Sequence, residues 1–106
     1  MEYKLYQLKN RTDYRFEDWK WAKKNGFTIS DYTQVYSGEI EESEKEHCLS
    51  RLWEIFNIYH PFDFRGHSMS VSDVVALKDE GNNDWHWYYC DDIGWEDITG
   101  YDENLR

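Results

Sequence analysis

A chain of 106 residues with 22 acidic and 12 basic side chains, net charge −10, has room for one hydrophobic core and not for two. Its six Trp, nine Tyr and five Phe bury much surface per position, which excludes a disordered body despite the charge. No stretch approaches the roughly 20 apolar residues of a membrane span, and Met1-Glu2-Tyr3-Lys4 opens a strand-like pattern instead of a signal peptide, so a cytoplasmic domain with no membrane partner is expected.

The charge is unevenly spread. Residues 1–25 hold seven bases against four acids, whereas residues 26–106 hold five bases against eighteen acids. That later acidity repels nucleic acid and anionic membranes and favours a protein partner with a basic surface. Cys48 and Cys90 lie far apart on separate expected elements with no secretory context, so reduced thiols are expected.

In chain order, Tyr3 to Leu8 alternates in the manner of a half-buried strand, and Asn10-Arg11-Thr12-Asp13 reads as a turn. Phe16, Trp19 and Ala22 recur every third residue. Glu17 and Asp18 in the first turn, Lys23 and Lys24 in the last, and a closing Asn25-Gly26 predict a short helix. Tyr32 to Tyr36 suits a second strand ending near Gly38 to Ile40. Ser43-Glu44-Lys45-Glu46 has the capping-box pattern, and Leu49, Leu52, Trp53, Phe56 and Tyr59 follow as one apolar stripe, ended by Pro61.

Beyond the Phe62-to-Ser68 loop, Val74-Val75-Ala76-Leu77 is apolar enough for a central strand covered on both faces. Asp79-Glu80-Gly81-Asn82-Asn83-Asp84 is a hairpin loop leading into Trp85 to Cys90, and Trp95 to Thr99 offers a last short strand. The order β-α-β-α-β-β predicts an α+β domain spanning 1–106. Two helices are expected on one face of a mixed or antiparallel sheet of four to five strands.

Chemistry is thinly represented. Zinc sites announce themselves as paired ligands two to four residues apart, a spacing that does not recur among His47, His60, His67, His86 and the two cysteines. His86 and Cys90 share a strand face but stand roughly 13 Å apart by strand rise. His47 and Cys48 point about 100° apart on a helix, which favours core packing of the thiol over catalysis. Ser68, Ser70, Ser72, His67 and Asp73 lack a nucleophile elbow, the 79–84 loop lacks the calcium-loop order, and no glycine-rich phosphate loop is present. Neither enzymatic activity nor a metal or other cofactor is expected.

The acid distribution is the remaining signal. Glu39, Glu41, Glu42, Glu44 and Glu46 crowd the approach to the second helix, and Asp91, Asp92, Glu96, Asp97, Asp102 and Glu103 crowd the end of the chain. Either they form a solvated surface or they dock on a Lys/Arg-rich protein, with Trp95 or Tyr101 as anchors.

Phe62-Asp63-Phe64-Arg65-Gly66-His67-Ser68-Met69-Ser70-Val71-Ser72-Asp73-Val74-Val75, followed by Tyr88-Tyr89-Cys90-Asp91-Asp92-Ile93-Gly94-Trp95, resembles the YodL-like domain of Firmicutes. Its pattern couples an F-R-G-x-S-x-S-x-S-D-V-V loop and strand to a Y-Y-x-D-x-x-G hairpin. Cys90 departs from it where Val is usual, and the Trp content is unusually high. The resemblance implies no established catalytic residues and an origin on plasmids, phages or conjugative elements.

For the Arg65-Gly66-His67-Ser68 loop with Asp73, a structural and a functional role both stand. In the structural one, Gly66 takes an unusual backbone angle and Arg65 bridges carboxylates or carbonyls. In that genomic company an acidic stand-alone protein resembles an anti-defence protein, of anti-CRISPR type, acting on the basic nucleic-acid channel of a Cas9-type effector. A non-inhibitory module for a conjugation or replication partner is the alternative.

Overall fold

The computed structural model describes residues 1–10, 13–79 and 81–106; Arg11 and Thr12 of the expected first turn and Glu80 of the expected hairpin loop lie outside them. Five strands, β1 (Glu2–Leu8), β2 (Tyr32–Glu39), β3 (Val74–Lys78), β4 (His86–Cys90) and β5 (Trp95–Asp97), form one sheet in the order β2-β1-β3-β4-β5. Each pairing is antiparallel, so the open choice between a mixed and an antiparallel sheet resolves to the latter.

β3 is the middle strand. All of Val74 to Leu77 is buried because the side chains alternate between two apolar layers, one on each face of the sheet, so the sheet divides the core of the one domain. Val74 and Ala76 join Trp19, Ala22, Phe27, Tyr32, Trp87 and Tyr89, whereas Val75 and Leu77 join Cys48, Leu49, Leu52, Phe56 and Tyr88.

The helices α1 (Trp19–Lys24) and α2 (Lys45–Asn57) therefore cover opposite faces of the sheet. This corrects the expectation that both lie on one face. Helical spacing shows that a helix has an apolar side but not which face of a sheet it covers.

Several local expectations change as well. Phe16 is outside α1, exposed and at φ 65; Asp18 is the N-cap, and its carboxylate accepts the Trp21 N–H. Asn25 closes the helix and Gly26 follows at φ +86, as the sequence suggested.

At α2 the capping box does not form. Glu44 occupies the N-cap position without a side-chain bond, one residue later than the Ser43 reading required. The buried stripe is Cys48, Leu49, Leu52 and Phe56, whereas Trp53 and Tyr59 are exposed. Met1 holds the chain ahead of the helix: its ammonium donates to the Ile40 carbonyl and its own carbonyl accepts the Ile40 N–H.

Because the Ser43 hydroxyl caps nothing, Ser43→Ala is expected to change stability by less than about 0.5 kcal/mol, against the roughly 0.5–2 kcal/mol of a working cap. Urea denaturation of the two proteins checks this.

Candidate functional site

The sequence pattern F-R-G-x-S-x-S-x-S-D-V-V runs from the end of α2 into β3, and its residues converge on a buried carboxylate. Asp73 is 1% exposed. Its Oδ2 accepts from the Gln7 side-chain amide at 3.0 Å and from the Ser70 backbone N–H at 3.0 Å. Gln7, itself buried on β1, also donates to the His67 carbonyl at 2.8 Å and accepts the His67 N–H at 3.1 Å. The His67 ring stands 4.0 Å from Asp73 Oδ1. One amide and one carboxylate thus fasten the 65–72 loop to β1 and β3.

Burial pushes Asp73 up to about 6, opposed by the Gln7 and Ser70 bonds and by the nearby charges of His67 and Arg15. Between the unfolded value near 3.8 and the folded value near 6, the native chain binds more protons than the unfolded chain. The contribution of Asp73 to stability therefore falls as pH rises through that window.

Gly66 is required by space, not by backbone angle. It is absent from the positive-φ residues, but a Cβ there would meet Gln7 Oε1 at 2.4 Å and Phe64 Cζ at 2.7 Å. The left-handed positions fall instead on Ser72, φ 85 and buried, and on Phe16, whose N–H donates to Ser72 Oγ at 3.1 Å. Arg65 caps carbonyls, donating to Phe62 O at 3.1 Å. Ser68 is exposed, its hydroxyl 3.4 Å from the His60 ring.

The Tyr88-to-Gly94 motif ties the other face. The Tyr89 hydroxyl donates to Glu17 O at 2.7 Å, and Asp91 Oδ1 accepts the Trp19 N–H at 3.0 Å, so both hold the start of α1.

The acids of the two sequence clusters are distributed by strand register. Glu39, Glu41, Glu42, Glu44, Glu46 and Asp97 gather with Asp79 around the sheet end where β1 begins and β3 finishes. Asp91 and Asp92 lie at the opposite end, beside the start of β3. Glu96 alternates to the α1 face, and Tyr101 packs edge-on to Trp19 there, 5.0 Å between centroids.

A trough between α2 and β5 joins the two ends. One hollow of about 290 Å³ has Leu49, Tyr88 and Trp95 in its lining beside Glu46 and Asp97. The adjoining hollow, about 340 Å³, has Trp53 and Trp95 in its lining beside Asp91 and Asp92. Burial, then Asp97, Glu46 and Asp79, push the Tyr88 hydroxyl up to about 12.

Burial likewise raises both thiols, Cys90 to about 12, so neither carries thiolate at neutral pH. Among the described residues no three His, Cys, Asp or Glu side chains converge in metal-binding geometry, and no helix is long and apolar enough to cross a membrane.

The YodL-like domain profile matches residues 2–101. The chain belongs to the YodL-like domain family. It is 30% identical over 70 residues to the Uncharacterized protein YodL of Bacillus subtilis (strain 168), a stretch covering 64% of this chain and 66%, just under two thirds, of that protein. No solved structure matches significantly. In this YodL-like domain the two motifs hold the loop to the sheet and α1 to the sheet, roles that motif spacing alone left open. Gln7, the hub of the network, went unnoticed in the sequence because a lone Gln in an alternating strand carries no signal of burial.

Gly66→Ala is expected to cost about 1–3 kcal/mol by overpacking the Gln7–Phe64 contact, read as a lower urea midpoint with unchanged slope. Asp73→Asn keeps an acceptor for Gln7 and Ser70 without the titration. The wild-type stability minus that of the variant should fall as pH rises from 4 to 6; a difference constant across that window would rule out the raised carboxyl.

Proposed function

We propose that this YodL-like domain is a non-catalytic, acidic binding protein that docks on the basic surface of a nucleic-acid-handling protein. In finer form it is an anti-CRISPR-type inhibitor from a mobile genetic element, occupying the nucleic-acid channel of a Cas9-type effector. The observation that carries this reading is a set of exposed carboxylates without cationic partners. Among the described residues the ion pairs involve Glu2, Glu44, Glu54 and Asp73, and none engages Glu39, Glu41, Glu42, Glu46, Asp92, Glu96 or Asp97. Such a surface is attracted to cationic protein and speeds encounter with it, while repelling DNA and RNA themselves.

A second reading, a non-inhibitory interaction module for a conjugation or replication partner, is favoured by the apolar side chains around the motif end. Phe62 is 96% exposed, Ile58 and Tyr59 are exposed just before it in the chain, and exposed Phe16 is tied to the loop through Ser72.

The test is capture of a Cas9-type effector by the purified protein at low and moderate salt, with and without guide RNA. Capture weakened by salt, competed by guide RNA and reduced at least tenfold by Glu41→Lys with Glu42→Lys, in a variant of unchanged thermal melt, is the expected result. Unaltered capture by that variant removes electrostatic docking. Capture that depends instead on Phe62 supports the second reading.

A further inference from the structure

We propose that the trough between α2 and β5 is a binding site for an arginine-bearing extended segment of the partner. This deepens the acidic-docking reading and rests on it. Three features of the trough converge on a guanidinium as the ligand.

The first is the combination of aromatic wall and free acid. Trp95 borders both hollows, Trp53 is 43% exposed at the edge of one, and both stand beside Asp92, an exposed carboxylate whose recorded bond is to the N–H of the adjacent Ile93. A planar guanidinium stacks on indole while its N–H groups reach a carboxylate, a geometry that an ammonium does not reproduce. Asp91, by contrast, is occupied by Trp19 and adds charge more than bonding capacity.

The second is that the chain places one of its own cations in the trough. Lys45 Nζ lies 5.9 Å from the centroid of the Tyr88 ring, in the hollow that Glu46 and Asp97 border. A positive charge is thus already accommodated at one end, while the Trp53–Asp92 end holds none among the described residues that line it.

The third is access and length. β5 is the edge strand of the sheet, and among the described residues no further strand closes that side. The trough follows α2 from Glu46 to Trp53, about 10 Å by helical rise, which an extended segment covers in three to four residues. Arginines two residues apart on such a segment face the same side and reach acids at both ends.

The experiment titrates the 106-residue protein with octa-arginine, octa-lysine and octa-glutamate peptides at low and moderate salt, reading the indole N–H signals of Trp53 and Trp95 by NMR. Octa-arginine is expected to shift both indoles and to bind at least threefold more tightly than octa-lysine, with no binding of octa-glutamate. Trp53→Ala and Asp92→Asn should each weaken octa-arginine at least fivefold. Both sites are exposed, so the fold survives the changes, whereas Trp95→Ala risks the core.

Indoles that stay unshifted, equal affinity for lysine and arginine, or unchanged binding by both variants would overturn the proposal. If Glu41→Lys with Glu42→Lys abolishes effector capture while octa-arginine leaves the indoles unmoved, the trough fails and acidic docking stands. If octa-arginine enters the trough but no effector is captured at any salt, the trough stands and the effector reading fails.

Discussion

The fold is organised around the carboxylate of Asp73, placed where an irregular loop becomes the middle strand. Its burial is costly for a charge, and the cost is offset in part because Gln7 and the Ser70 N–H converge on the same oxygen, with the charges of His67 and Arg15 nearby. Three segments distant in sequence must then meet within hydrogen-bond distance: the end of β1, the 65–72 loop and the start of β3. A break at any one leaves a buried polar group without a partner, so the network acts as a single constraint.

The neighbouring strain follows from that arrangement. To present the Ser70 N–H to Asp73 and still enter β3 in register, the chain turns through a left-handed Ser72, whose N–H donates to Cys90 O and whose carbonyl accepts the Tyr32 hydroxyl at 2.5 Å. Ser72 Oγ in turn holds Phe16, itself left-handed, and Phe16 leads into the cap of α1. Together with Tyr89 and Asp91, this places α1 on the face opposite α2. The two family motifs thus read as instructions for assembling a sheet covered on both sides, with Ser72, Asp73 and Asp91 engaged in doing so.

What the motifs leave free is the surface. With Ser72 and Asp73 turned inward, the exposed chemistry consists of carboxylates at both sheet ends, apolar side chains near the motif loop, and an aromatic trough between α2 and β5. The thiols are held protonated by burial, and the most perturbed carboxyl is enclosed by its own chain.

The sequence by itself determined the local elements and the family. Alternation marked β1, a continuous apolar run marked β3, Asn25-Gly26 marked the end of α1, and the two spaced motifs identified the YodL-like domain, because each depends on neighbours a few residues apart. Only the tertiary structure decided that the helices lie on opposite faces, that Ser43 caps nothing, that Gly66 is small because Gln7 and Phe64 press on it, and that the acids divide between two ends. Those outcomes depend on contacts such as Gln7 with Asp73 and Met1 with Ile40, 66 and 39 residues apart, and on strand register, where shifting one strand by a single position would exchange its buried and exposed faces.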